Sequence, residues 1–188
     1  MQVLSHKKKF MQKWESRDLG EAKEYLGMRI TRDCQKRSLI LDQTKYTSKV
    51  VKYFDQDNCK EISVPLSTSY IPRPNEEKEI SSLHSHYQLV IGSLLYIMLG
   101  TRPDIAYTVI KMLQYSSNPS EEHLQKVMQI VCYLSHSQSL CIKYSASGTE
   151  SGLIAYLDTD WAGDVETSCF TTGYAMFLAN GIVFWLSR

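Results

Sequence analysis

Residues 152–164, GLIAYLDTDWAGD, decide how the rest of the chain is interpreted. Apolar side chains occupy both faces of residues 153–157, which predicts a short β-strand. Asp158 ends this strand, and Asp160 and Asp164 follow it. A carboxylate at the end of a buried strand is held in place and still reaches solvent, so the pattern suits a divalent metal ion. Asp is also a common turn residue, and the spacing by itself favours that simpler interpretation.

The residues around this stretch predict an antiparallel meander. A short strand is expected at residues 141–144, before the strand that ends at Asp158, and two further strands are expected at 171–178 and 182–186. Asn180-Gly181 lies between the last two strands and is a strong signal for a tight two-residue hairpin.

Helices are predicted in the middle of the chain. Residues 86–99 form an apolar helix in which Leu89 is expected on the buried side and Gly92 is expected to permit close packing. A second helix begins near Pro103, and a third spans 119–135. For the third, Asn118 is predicted as the N-cap and Glu121 as its capping-box partner.

The front of the chain predicts a helix at 5–16, a β-hairpin at 24–42 and a second helix at 44–56. Gly27 is expected inside the first strand, where it would allow another backbone to approach. The apolar residues of the second helix, with Tyr53 among them, are assigned to the core. Residues 62–82 hold three prolines and read as a linker. The fold class is therefore α+β, with a hairpin in front, helices in the middle and a meander at the end.

Three stretches resemble copia-type retrotransposon Pol polyproteins, and they occur in that family's order. DLGEAKEYLGMRITRD (18–33) resembles the end of the reverse transcriptase palm, and YQLVIGSLLYIMLGTRPDIAY (87–107) resembles the thumb and connection. YLDTDWAGD (156–164), with TTGYAMFL (171–178) and IVFWLS (182–187), resembles the start of the ribonuclease H domain. The resemblance implies four parts: a palm remnant at 1–61, a linker at 62–82, a helical thumb and connection at 83–138, and a truncated ribonuclease H-like domain at 139–188.

The resemblance also implies chemistry. The parent family combines RNA-directed DNA polymerase with ribonuclease H, uses Mg²⁺, and acts on primer-template or RNA–DNA hybrid. In that family the residue matching Asp158 is a metal ligand. Two-metal cleavage needs several carboxylates, yet the family's Y-V-D-D pair and S-T-E-A-E helix are absent here. We therefore expect Asp158 to be vestigial, Mg²⁺ to bind weakly, and the isolated chain to be catalytically incomplete.

Positive charge is concentrated at the front. Residues 1–60 hold 14 Lys and Arg against 8 Asp and Glu, whereas the whole chain has a net charge of only +1. A basic front suits contact with phosphates, although an ordinary solvated surface explains it nearly as well. The residues predicted to contact nucleic acid are Lys7, Lys8, Lys9, Arg29, Arg32, Lys36 and Arg37.

The five cysteines include no C-x-x-C pair, so neither a disulfide framework nor a zinc site is expected. Cys132 and His136, or His84 and His86, could share a metal ion, but no further ligand is expected near either pair. Such cysteine usage fits a reducing, intracellular compartment, either cytoplasmic or nuclear. No secretory signal is recognised, and the most apolar run, 89–99, is too short for a bilayer, so no membrane partner is expected.

Three functional hypotheses remain open. The first is a retrotransposon-derived reverse transcriptase and ribonuclease H fragment without activity of its own. The second is a nucleic-acid-binding module that uses the basic front. The third is a structural protein that associates with itself or a partner through an open sheet edge.

Overall fold

The computed structural model describes residues 2–67, 69–76, 83–146, 152–160 and 171–187. These residues form five α-helices and two antiparallel sheets, which confirms the α+β class. The elements are α1 (Gln2–Lys13), β1 (Glu24–Tyr25), β2 (Met28–Asp33), β3 (Ser38–Asp42), α2 (Thr44–Tyr53), α3 (His84–Thr101), α4 (Ala106–Leu113), α5 (Glu121–His136), β4 (Ile142–Ser145), β5 (Ile154–Asp160), β6 (Thr171–Leu178) and β7 (Gly181–Ser187). A 3₁₀ turn, Pro103–Ile105, joins α3 to α4.

The front sheet has the strand order β1-β2-β3-β4. The predicted hairpin is confirmed, and Asp33 stabilises its turn by accepting the backbone N–H of Lys36 at 2.9 Å. β4 pairs with β3, with Ile142 opposite Leu41. The strand that the sequence places with the last domain therefore belongs to the sheet of the front hairpin.

Gly27 lies between β1 and β2 rather than inside a strand. Its φ of +68° is readily adopted by glycine, and a Cβ at this position would lie 2.7 Å from the Tyr96 hydroxyl oxygen. That hydroxyl donates a hydrogen bond to the carbonyl of Leu26. The close approach predicted for Gly27 is real, but it is made by a tyrosine side chain of α3 rather than by another backbone.

The main core lies between α2, α3, α4 and α5. Its fully buried side chains include Tyr87, Val90, Leu94, Ile97, Val109, Met112, Val127, Ile130 and Leu134. Two predicted core residues are instead on the surface: Leu89 is 47% exposed and Tyr53 is 68% exposed. Each lies outside the stripe of buried residues on its helix. Gly92 is surrounded by open space, so the close packing predicted there is absent.

The start of α5 also differs from the prediction. The N-cap is Ser120, whose Oγ accepts the N–H of His123 at 3.3 Å, while His123 Nδ1 accepts the N–H of Ser120 at 3.1 Å. The predicted pair, Asn118 with Glu121, is two residues too early. An imidazole nitrogen takes the role usually played by Glu or Gln, a substitution that the motif does not anticipate.

The described part of the predicted linker packs on the helices. Leu66 is only 6% exposed. Lys111 Nζ donates to the carbonyl of Tyr70 at 2.8 Å, and the Tyr115 hydroxyl donates to the carbonyl of Pro72 at 3.1 Å. The described residues of this segment, 62–67 and 69–76, thus pack against α4 and α5, while the four-part domain division remains a prediction.

The rear sheet, β5-β6-β7, is the predicted meander. Its tight turn is Ala179-Asn180, one residue earlier than predicted, and both residues have positive φ. Gly181 is buried against the ring of Tyr144, where a Cβ would collide. Trp185 joins the sheet to the core by donating its Nε1–H to the carbonyl of Met98 at 3.2 Å. No helix in the described ranges is both long and apolar enough to cross a membrane.

Candidate functional site

Asp158 lies on the edge strand of the rear sheet. It is exposed, and its register partner on β6 is Gly173. A groove of about 740 Å³ separates this part of the sheet from the beginning of α4, and its walls include Asp158, Asp104, Tyr107 and Trp185. Asp104 is the other acidic residue among the described residues that line this groove, and it is therefore the candidate to assist Asp158.

The carboxylate of Asp104 is already engaged. Arg102 holds it through two hydrogen bonds, Nε to Oδ1 at 2.9 Å and Nη2 to Oδ2 at 2.7 Å, and the Tyr133 hydroxyl donates to Oδ2 at 2.9 Å. Burial opposes ionisation of Asp104, but these hydrogen bonds and the charge of Arg102 outweigh it and hold its pKa below the usual value. This carboxylate stabilises the α3–α4 junction and is poorly suited to bind a metal ion.

The described residues do not fit a two-metal site at Asp158. Such a site needs several carboxylates around two ions. Within the described ranges, the one group of three metal-type ligands contains no carboxylate: it consists of Cys59, Cys132 and His136. Asp160 belongs to β5, but its side chain lies outside the description, as does Asp164.

The basic residues predicted to bind nucleic acid divide into two groups. On α1, Lys7 Nζ is 2.5 Å from a carboxylate oxygen of Asp18, whereas Lys8 and Lys9 are exposed and form no ion pair with a described residue. On the hairpin, Arg29 Nε donates to Asp42 Oδ2 at 2.8 Å. Burial of Asp42 raises its pKa, but hydrogen bonds from Arg29 and Thr44 outweigh this, so the net pKa is lowered. Arg29 and Lys7 are therefore largely neutralised.

The remaining hairpin cations lie at the β2–β3 turn, which we call the hairpin tip (residues 32–38). Arg32 and Arg37 form no ion pair with any described side chain, and Lys36 makes only a long contact of 3.8 Å with Asp33. Both arginines line one groove of about 340 Å³ together with Tyr144 from β4. The structure thus brings together Arg32, Lys36 and Arg37 and separates them from the paired Arg29.

A group of possible metal ligands, which the sequence did not predict, lies at the C-terminal end of α5. Cys59 and Cys132 form a disulfide, which contradicts the expectation that no disulfide is present. One ring nitrogen of His136 lies within 4.8 Å of both sulfur atoms. The i,i+4 spacing of Cys132 and His136 was visible in the sequence, but Cys59 is 73 residues from Cys132, and nothing local indicates that contact.

Comparison with known proteins places the chain among transposon polyproteins. It is 35% identical over 181 residues to the retrovirus-related Pol polyprotein from transposon TNT 1-94 of Nicotiana tabacum, covering 93% of this chain and 13% of that protein. It is 29% identical over 177 residues to the corresponding polyprotein from transposon RE1 of Arabidopsis thaliana, covering 94% of this chain and 12% of that protein.

A third relative has a different kind of name. Secreted RxLR effector protein 161 of Plasmopara viticola is 37% identical over 102 residues, which is 54% of this chain and 71% of that protein. No family model matches the chain. No solved structure matches it either.

The transposon matches cover nearly the whole chain, and they agree with the three motifs that the sequence contains in family order. The chain spans only 13% and 12% of these two polyproteins. It is nevertheless retrotransposon-derived, and over nearly its whole length it is similar to the Pol polyproteins of copia-type transposons.

Proposed function

We propose that the chain is the part of a transposon Pol protein that joins a reverse transcriptase to a ribonuclease H, and that by itself it cleaves nothing. The observation that supports this is that, among the described residues, Asp158 belongs to no group of three metal-type ligands. The other acidic residue that lines the same groove, Asp104, is held by Arg102, so the described residues of the groove provide one free carboxylate where cleavage needs several.

Cleavage is tested with the purified chain and a labelled RNA–DNA hybrid in Mg²⁺ and in Mn²⁺. We expect no product above that of an Asp158→Asn variant. Metal-dependent cleavage that Asp158→Asn abolishes would overturn the proposal, because it would show a working site.

A second function, binding to a nucleic-acid backbone, is favoured by the hairpin tip. Arg32 and Arg37 are free of ion pairs with described residues and line one open groove, and Lys36 lies beside them. Arginines in an open groove can hold phosphates by paired hydrogen bonds, without reading the base sequence. We infer that an RNA–DNA hybrid or a similar duplex binds here through its phosphates.

The binding proposal makes a quantitative prediction for salt dependence. Each phosphate contact releases counterions, so log K falls against log salt by about 0.9 per contact in duplex DNA. We expect the Arg32→Ala/Arg37→Ala double variant to bind a fluorescent hybrid more weakly and to lower this slope by about 2. Fluorescence anisotropy at several salt concentrations measures both quantities.

A control variant separates this effect from total charge. Lys49→Ala/Lys52→Ala removes the same charge from α2, where both lysines are exposed and outside the hairpin tip. It should leave the slope nearly unchanged. Equal slopes for the two double variants would refute a specific role for the hairpin tip.

A further inference from the structure

We propose that Cys59, Cys132 and His136, when the two cysteines are reduced, bind a single thiophilic divalent cation of the Zn²⁺ class. The three ligand atoms lie within 4.8 Å of one another. Cys132 and His136 occupy successive turns of α5, and Cys59 comes from the segment after α2. This site is separate from the hairpin tip and from Asp158.

The donor set matches zinc chemistry. Thiolate sulfur and imidazole nitrogen are the usual zinc ligands, and three protein ligands with an open fourth position are typical of zinc sites that hold a water or a substrate. Ligand atoms around one tetrahedral zinc lie about 3.5–3.8 Å apart, as bond lengths of about 2.0–2.3 Å require. Once the disulfide is reduced, the two sulfur atoms can separate to this spacing, and the imidazole nitrogen, which lies within 4.8 Å of both, has to move about 1 Å closer to complete the site.

Neighbouring groups are placed to support the ligands. His136 Nδ1 lies 3.0 Å from the carbonyl oxygen of Cys132 and 3.0 Å from the Ser135 hydroxyl oxygen, and these contacts fix the orientation of the ring. The Ser135 hydroxyl donates to the carbonyl of Cys132 at 2.9 Å and lies 3.4 Å from Cys59 Sγ, so rotation of this hydroxyl would let it donate to a Cys59 thiolate. Such outer contacts orient ligands and strengthen metal binding.

The disulfide borders an open groove, from which the partly exposed Cys59 can be reached. A groove of about 470 Å³ is lined by both cysteines and by His86 and Glu121. His136 is exposed, whereas Cys132 is only 3% exposed. An ion or a reductant can reach the pair from this groove, and the buried sulfur is protected from other chains.

The disulfide and the metal-bound state exclude each other because they use the same two sulfur atoms. Two molecules of a monothiol reduce the disulfide: they form their own disulfide and leave Cys59 and Cys132 as thiols. Zn²⁺ then displaces both thiol protons to solvent and binds the two thiolates and the imidazole, so the two negative charges balance the ion. The redox state of the surroundings thereby decides whether the cation binds.

The experiment uses the full chain and Zn²⁺ itself. The chain is reduced with a phosphine, freed of reductant without air, and titrated with Zn²⁺ in competition with a coloured chelator, while native mass spectrometry counts bound ions. We expect one Zn²⁺ per reduced chain and none after reoxidation. Cys59→Ser should abolish this binding, and His136→Ala should weaken it by about tenfold or more.

Matched controls come from the exposed free cysteines. The Cys34→Ser/Cys141→Ser double variant should bind Zn²⁺ as the unaltered chain does. Because His136 is exposed, His136→Ala is expected to fold normally, and circular dichroism checks this even if Cys59→Ser unfolds. The proposal is overturned if His136→Ala binds with unchanged affinity, if the Cys34/Cys141 control loses the ion, or if the reduced chain binds none.

Discussion

Arg102 directly follows the last residue of α3, and its side chain contacts several elements. Its side chain is only 3% exposed, yet it is fully engaged: it binds Asp104 and also donates to Ser137 Oγ at 2.7 Å and the Ser137 carbonyl at 3.0 Å. It also lies over the ring of Tyr133, 5.5 Å from the ring centroid. One guanidinium therefore connects the ends of α3 and α5 with the turn that begins α4.

We predict a large loss of stability for Arg102→Met. Removing one partner from a buried pair costs about 3–5 kcal/mol because the other charge is left uncompensated. Lys36→Met is the matched control: this lysine side chain is 83% exposed, and its loss should change stability by less than about 0.5 kcal/mol. Urea unfolding of both variants measures the difference, and similar values for the two would contradict a structural role for Arg102.

His123 links the cap of α5 to pH. It is 1% exposed, its Nδ1 accepts the Ser120 N–H, and its ring lies 4.4 Å from that of Tyr115. Burial lowers the pKa of His123, and the nearby Glu122 and the carbonyl of Arg73 only partly offset this. The folded chain therefore holds this imidazole in the neutral form, which is the form that can accept the Ser120 N–H.

We predict that this histidine makes stability fall in mild acid. Its folded pKa is lower than the unfolded value of 6.5, so its contribution is complete above pH 6.5 and is lost as pH falls toward the folded value. His123→Gln keeps an acceptor for the cap but does not titrate. Urea unfolding from about pH 7 to about pH 5 should show a shallower decline in this variant; parallel curves would rule out the His123 contribution.

The β6–β7 turn places two residues with a side chain in a backbone conformation that favours glycine. Ala179 and Asn180 have φ values of 51° and 61°, the pattern of a tight hairpin turn. Asn tolerates this conformation, whereas alanine is strained by about 1–2 kcal/mol. The buried Gly181 fits beside Tyr144 only because it lacks a Cβ. In this turn, therefore, Gly181 is needed for close packing against Tyr144, and the backbone strain of positive φ falls on Ala179.

We predict that Ala179→Gly stabilises the chain, by up to about 1 kcal/mol, because relief of strain exceeds the entropy that glycine adds to the unfolded state. Ala175→Gly, in the middle of β6 and without positive φ, is the control and should destabilise by about 0.5–1 kcal/mol. Thermal unfolding measures both variants. A lowered melting temperature for Ala179→Gly would contradict the turn geometry.

Most element types were predictable because local patterns determine them. The hairpin at 24–42, the central helices α3, α4 and α5, and the rear meander all follow from periodicity and turn residues. The predictions were wrong where contacts between distant residues determine the local structure. These cases are the Ser120–His123 cap, the exposed Leu89 and the one-residue shift of the last turn. The sequence of β4 predicts a strand, but it cannot show that the partner strand lies a hundred residues earlier.

The same limit applies to the candidate sites. Asp158 and the basic hairpin residues were found because their residue types and motifs are informative by themselves. Which cations are neutralised was not predictable, since Arg29 meets Asp42 only after β2 and β3 pair. The contact of Cys59 with Cys132 depends on how α2 packs against α5, and no short motif encodes that packing.

At the scale of the whole molecule, the sheets and helices are joined more closely than a division at residues 62–82 and 138 suggests. β4 pairs with β3, Leu66 is buried in the helical core, and Trp185 reaches the carbonyl of Met98. Contacts of this kind favour unfolding as one cooperative unit.

We predict a single unfolding transition. In a Trp14→Phe/Trp161→Phe variant, fluorescence reports on Trp185 in the rear sheet, while far-UV circular dichroism is dominated by the helices. The two signals should change at the same temperature. If the fluorescence changes first, the rear sheet unfolds separately, which would support independent domains as the sequence division implies.

The pairing of β3 with β4 has a consequence during synthesis. Leu41 leaves the ribosome about a hundred residues before Ile142 does. At about 5–20 residues per second, β3 waits roughly 5–20 s for its second neighbour. During that time its outer backbone groups are open to strands of other nascent chains, as on any unpaired strand edge. A polysome that translates many copies at once would make such encounters frequent, so the yield of folded chain should decline when initiation is fast.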